Sequence, residues 1–198
     1  MTGRGPSQTG LRDDAARNHR RLMEAAMELV AAGGADALTM DALAGRARVG
    51  KGTVFRRFGS RAGLMQELLD HAEQDFRKAY LSGPPPLGPG APPRDRLQAF
   101  GMARLASLEV NGELARAADV DPRSRYQHPS HILTRQHLAG LLRQPGSVPD
   151  PELAAYQLTA FLDAGLLLHL HGAEGMSLPR LRKGWEELVD GVMRVQGT

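Results

Sequence analysis

The 198-residue chain contains no cysteine. Disulfides, thiol nucleophiles and cysteine-ligated zinc are therefore excluded, and a reducing cytoplasm fits such a chain. Aromatic residues are scarce, at 5%, so a core must be built mainly from Leu, Ala, Val and Met. Repeated Ala and Leu with few β-branched runs favour helix over strand. The longest apolar run, Ala164–Leu168, is far shorter than a bilayer span. The N-terminus is polar and Gly-rich, without the apolar centre of a secretory signal. No nucleophile–base pair and no carboxylate dyad stands at a telling spacing, so neither an enzyme nor a cofactor is expected. Gly50-Lys-Gly-Thr53 is similar to the end of a phosphate loop, but it lacks the preceding strand and the upstream glycine.

What the chain does have is an uneven charge. Residues 1–61 carry 11 Lys and Arg against 6 Asp and Glu, an excess of five. The remaining residues carry 14 against 16, a deficit of two. The basic part also holds the most telling pattern, Thr39 to Phe58. Thr39 is a good N-cap, and Met40, Leu43, Ala44 and Ala47 form the inner face of a short helix. Arg48-Val49-Gly50 makes a tight turn. A second short helix then runs from about Lys51 to Phe58, with Val54 and Phe58 as its packing residues and Lys51, Arg56 and Arg57 on its outside. A helix before this pair, about Arg17–Ala32, has Leu22, Ala25, Ala26, Leu29 and Val30 on one face and stops at Gly33-Gly34. Two short helices joined by a tight turn, the second basic, are the helix-turn-helix of DNA-binding proteins.

The rest of the chain also reads as helix, and the expected fold is all-α. Residues 1–16 form a flexible tail, from which Arg4 and Arg12 could reach a DNA backbone. Residues 17–60 form the DNA-binding domain and residues 61–81 a connecting helix with Leu64, Leu68, Ala72 and Phe76 along one side. Gly83–Pro93 has six Pro and three Gly among its eleven residues. It marks a fairly extended linker, residues 82–93, between two parts of the chain. Residues 94–198 form a larger helical domain, with helices over about 94–109, 112–118 and 129–142 and a loop over 119–128. Asp150-Pro151-Glu152 starts another helix, which runs to about His171. Ser177 starts the last.

The stretch from Leu43 through Lys51-Gly-Thr-Val-Phe-Arg-Arg-Phe58 to Leu64 resembles the TetR family of transcriptional regulators. The resemblance covers about residues 17–68 and implies a homodimer on a palindromic operator in double-stranded DNA. It also implies a C-terminal helical domain that binds a small ligand and pairs with its copy, and repression relieved when the ligand binds. The alternative is a dimeric DNA-binding protein that senses nothing. Three residues depart from the family pattern. Arg48 stands where Gly is common, Gly50 where Ser usually caps the reading helix, and Phe55 where a Tyr gives its hydroxyl to a phosphate. Either the Phe55 ring packs as core or Arg57 takes over that grip. Thr39, Arg48, Lys51, Gly52, Thr53, Phe55, Arg56, Arg57 and Arg61 are the candidate DNA-contacting residues. Arg56 is placed for a guanine edge, and Arg57 and Arg61 for phosphates.

In the C-terminal part, Leu158, Leu162, Gly165, Leu166, Leu181, Trp185, Leu188 and Val192 are the candidate dimer interface, two helices from each chain. Phe100, Met102, Leu105, Leu138 and Phe161, with Tyr126, His131 and His137 as polar anchors, are the candidate lining of a mostly apolar ligand site. The chain has no cysteine, the pair His128/His131 has no carboxylate at close helical spacing, and His169 and His171 point to different helix faces, so no metal site is expected. Membrane attachment is not expected either.

Overall fold

The computed structural model describes residues 8–108, 112, 114, 127–144 and 148–194. All of the described regular structure is helical, and there is no strand among the described residues. Internal contacts divide the chain into two units, Met1–Leu68 and Leu69–Thr198.

The first unit is three helices and the start of a fourth. Helix α1, Gln8–Ala37, is interrupted at Gly33 and at Gly34, whose φ of 72° ends the regular turn. Residues 8–16, expected to be a flexible tail, are its opening turns. Residues 1–7, with Arg4, lie outside the described residues, as does the Arg12 side chain. Helices α2, Met40–Ala47, and α3, Lys51–Phe58, follow, and α4 spans Arg61–Ser82. The apolar faces of α1 and α2 meet Val54, Phe58, Leu64 and Met65, and Leu22, Ala26, Leu38, Leu43, Val54, Leu64 and Met65 are all at most 1% exposed. Polar ends are secured from a distance. The Arg21 guanidinium donates to the Ala47 carbonyl at 3.1 Å. Arg61 donates to the carbonyls of Leu38 at 3.0 Å and Ala35 at 2.7 Å.

The second unit holds the remainder of α4, then α5, Pro93–Ala106, and α6, Pro129–Leu142. It continues with α7, Pro151–Phe161, α8, Ala164–Leu168, a π-helical turn, His169–Ala173, and α9, Leu178–Arg194. Trp185, Phe100, Leu97, Leu138, Leu142, Ala155 and Leu158 are fully buried together at its centre. Gly101 lets the Trp185 indole lie against α5, and its Nε1 donates to the carbonyls of Leu97 at 3.1 Å and Gln98 at 3.2 Å. Beside this core, Arg104 stacks 4.2 Å from the Phe76 ring centroid and grips both carboxylate oxygens of Glu73.

Two expectations about this part are corrected. The division of the chain falls inside α4, so the Pro-rich segment is not a boundary. It is folded within the second unit, where the Gly88 N–H donates to the Pro84 carbonyl at 2.9 Å and Leu87 packs against the core. Its extended form is excluded by the approach of Gly88 to Gly83, which a side chain at residue 88 would block. The helix expected over 151–171 is broken, because the Asp163 carboxylate accepts from the Leu166 N–H at 3.0 Å and starts a new helix. Pro151–Ala173 taken whole has the length and composition of a membrane span, but it is broken at Asp163 and is not a clear span. The expected short helix at 112–118 and loop at 119–128 lie largely outside the described residues.

Candidate nucleic-acid interface

The turn between α2 and α3 is built by backbone. Arg48 has φ 54° and ψ 46°, the left-handed region. Its N–H donates to Gly45, and that of Val49 to Ala44 at 3.0 Å, which closes α2 with the two bonds of a Schellman cap. A residue with a Cβ costs about 1–2 kcal/mol there relative to Gly. The turn is therefore held in place by the packing around it. At the other end of α2 the Thr39 hydroxyl accepts from the Ala42 N–H at 3.0 Å. Thr39 is exposed, but its oxygen is already engaged in capping.

Helix α3 presents a mixed outer face. At about 100° per residue, Arg56 lies opposite the midpoint of buried Val54 and Phe58. Lys51, Gly52, Phe55 and Arg56 are all exposed, and Thr53 is half-buried. A side chain at Gly52 would meet nothing within 4 Å, so the backbone there is open to close approach by a ligand. Gly50 caps α3 with no side-chain hydrogen bond. The first amides of the helix therefore face outward without a side-chain acceptor, an arrangement suited to an anionic oxygen. Arg56 makes no ion pair among the described residues, which leaves its fork of donors for a partner outside the chain.

Of the other candidate cations, Lys51, Arg57 and Arg61 are engaged. The Lys51 ammonium sits 2.6 Å from Asp41 Oδ1 on α2, with both side chains exposed. Arg57 pairs with Glu67 and donates from Nε to His19 Nδ1 at 3.2 Å, while His19 Nε2 lies 3.4 Å from the same carboxylate. This junction of α1, α3 and α4 was not visible in the sequence, because its three members are separated by 38 and 10 residues. The expected phosphate grip by Arg57 is thus replaced by an internal pair. Arg61, expected to clamp a phosphate, instead holds the carbonyls at the end of α1 and lies 3.5 Å from Asp36. Phe55, at 42% exposure, does not pack as core.

The second unit gives a different result from its sequence reading. Phe100, Leu105 and Leu138 are fully buried in the core, and Met102 and Phe161 pack against it. Tyr126 lies outside the described residues. His131 is half-buried on α6. His137 stacks beside Tyr80, with ring centroids 4.3 Å apart. Burial, with Arg96 nearby, lowers its pKa to about 4. A cavity of about 220 Å³ lies between α4 and α6. It is lined by Asp70, Glu73, Gln74, Arg77, Tyr80, His128, Pro129, Ser130 and Thr134. Most of these lining residues are polar or charged. Burial raises the Tyr80 pKa, against a hydrogen bond from Thr134 that lowers it. No group of three or more metal-ligating side chains comes together among the described residues.

The candidate interface residues also divide. Leu158, Leu181 and Trp185 are buried in the core of their own chain and cannot face a partner. Leu162, Leu188 and Val192 are half-buried against that core. Gly165 and Leu166 remain exposed, together with Leu153 and Tyr156, which the sequence reading did not single out.

Residues 22–68 match the model of the family described as bacterial regulatory proteins, tetR family. No curated protein matches the chain in sequence. Among solved structures, a tetR-family transcriptional regulator from Mesorhizobium loti is similar with a TM-score of 0.65 at 23% identity, over 92% of this chain and 98% of that one. A transcriptional regulator from Rhodococcus sp. Rha1 has a TM-score of 0.65 at 21% identity, over 88% and 95%. NalD, the secondary repressor of the MexAB-OprM multidrug efflux pump in Pseudomonas aeruginosa, has a TM-score of 0.56 at 16% identity, over 92% and 99%. These likenesses extend the shared fold over nearly the whole chain.

Proposed function

We propose that this chain, whose N-terminal helix-turn-helix belongs to the tetR family of bacterial regulatory proteins, is a dimeric transcriptional repressor that leaves its operator when a small polar molecule binds its second unit. The observation that carries the DNA-binding part is the outer face of α3. It combines Arg56, which makes no ion pair among the described residues, the open backbone at Gly52 and outward-facing first amides on a helix whose opposite face is packed. Lys51 and Arg56 contact the operator, Arg56 in the major groove, while Arg57 and Arg61 keep the three helices together. Thr39 contributes from the start of α2 at the groove's edge.

A palindromic operator requires two copies of α3 related by a two-fold axis. The exposed apolar side chains Leu153, Tyr156 and Leu166, beside the small exposed residue Gly165, support self-association through α7 and α8. For the ligand, the polar cavity between α4 and α6 is the supporting feature. Five of its lining residues stand on α4, the helix within which the chain divides. A ligand there acts on DNA binding only through a difference in affinity between the DNA-competent state and another.

Selection of bound fragments from random DNA tests the reading. An enriched palindrome, with affinity lost in Arg56→Ala, supports it. Binding without sequence preference and with a steep salt slope would mean that the basic surface grips backbone alone, and would remove the regulator function. A small molecule that fills the cavity and leaves operator affinity unchanged would favour the second reading, a dimeric DNA-binding protein without sensing.

A further inference from the structure

Two roles for Phe55 are removed by the structure. The ring is 42% exposed, so it is not a core residue, and Arg57 is held by Glu67 and His19, so it does not substitute for a missing aromatic hydroxyl. What remains is a phenyl group with no hydrogen-bonding atom, standing on the outer face of α3. It lies one turn beyond Lys51 and beside the bare backbone of Gly52. No ring or cation partner approaches it among the described residues, whereas the neighbouring Phe58 ring, with Arg57 5.4 Å from its centroid, is buried.

An apolar ring at this place can contribute to DNA binding in one sequence-dependent way. Of the groups displayed in the major groove, the C5-methyl of thymine is the apolar one. Gly52 and Phe55 together form a bare backbone and a flat apolar surface, whereas Lys51 and Arg56 on either side offer donors. We propose that Phe55 is a specificity-determining residue that reads the C5-methyl group of a thymine in each half-site, beside the base contacted by Arg56. This rests on the regulator reading above. A phenyl ring lying along the sugar–phosphate backbone would contribute affinity without distinguishing thymine from a base that lacks the methyl.

The experiment uses the full chain and the operator obtained by selection. Each thymine is replaced in turn by deoxyuridine, which removes the methyl and leaves pairing intact. Binding is then measured for the unaltered protein, Phe55→Ala and Lys51→Ala. Loss of one buried methyl corresponds to about a fourfold loss of affinity. The unaltered protein and Lys51→Ala should both show that loss at one thymine per half-site, and Phe55→Ala should be insensitive to the replacement there. Circular dichroism checks that each variant is folded, as the exposure of both side chains leads one to expect. Equal sensitivity in Phe55→Ala and the unaltered protein, or insensitivity in both, overturns the assignment while the operator itself stands. Failure to select any operator removes the regulator reading and this assignment with it.

Discussion

Replacing Gly101 by Ala sets two known effects against each other. Gly101 lies inside α5, where Ala is favoured over Gly by about 1 kcal/mol from helix propensity alone. A Cβ at this residue, however, would stand 2.0 Å from Cε2 and 2.2 Å from Nε1 of Trp185. Ordinary carbon–carbon contact is about 3.5–4.0 Å, so the indole must move by about 1.5 Å or more. It has nowhere to go, because Trp185 is fully buried, with Phe161 on one side and its Nε1 donating to Leu97 and Gln98. Overpacking of this kind costs about 1–3 kcal/mol. Weakening the indole hydrogen bonds adds about 1–2 kcal/mol. The steric side wins, and Gly101→Ala should lose about 2–3 kcal/mol net. Gly140→Ala, at an exposed position of α6 where a Cβ meets nothing within 4 Å, should gain about 0.5–1 kcal/mol from the same propensity term. Urea unfolding at one fixed protein concentration, followed by the fluorescence of the single tryptophan, measures both. A Gly101→Ala protein as stable as the unaltered chain would refute the argument that Trp185 is locked against α5.

Asp41→Asn should tighten operator binding several-fold, because it frees Lys51 and removes a negative charge from beside the phosphates. Fluorescence anisotropy at low and high salt would show it, and an unchanged affinity at low salt would contradict it. Arg61→Ala should destabilise the first unit by about 1–3 kcal/mol, since it strips the Leu38 and Ala35 carbonyls of a charged donor, and Arg61→Lys should recover part of that on thermal melting. The third concerns acid. The His137 pKa is about 4 when folded, below its ordinary 6.5, so the unfolded chain binds the extra proton first as pH falls. Its contribution is complete above about pH 6.5 and is lost between there and about pH 4. The ring is only partly buried, so solvent screening reduces the loss to on the order of 1–2 kcal/mol. His137→Gln should flatten the pH dependence of the urea midpoint over that range.

The helix-turn-helix was legible because its signals are local. Thr39 as a cap, the spacing of Met40, Leu43, Ala44 and Ala47, and the turn before Lys51 all lie within twenty residues, and the backbone follows them. The helix start at Asp150 was legible for the same reason, and its carboxylate caps the Leu153 N–H at 2.9 Å. What was not legible depends on residues far apart. Periodicity placed Leu158, Leu181 and Trp185 on apolar helix faces, but not whether those faces meet a partner or their own chain. The answer lies in Gly101 and Leu97, more than eighty residues before Trp185. Charges behaved alike: Lys51, Arg57 and Arg61 read as free cations until Asp41, Glu67 and the end of α1 came beside them. Asp163 lies within the single helix expected over 151–171, and it is the cap that divides it.

The folded Pro-rich segment changes how the molecule can be taken apart. Composition invites a cut at residues 83–93, with each half studied alone. A fragment begun at Arg94 would leave Arg104 without Glu73, and Phe100 and His137 without the rings of Phe76 and Tyr80. It would also open the place filled by Leu87. A fragment ended at Ser82 would carry the far turns of α4 with Phe76 and Tyr80 bared to water. Neither half is a natural piece, and the seam of this chain is a helix that belongs to both sides.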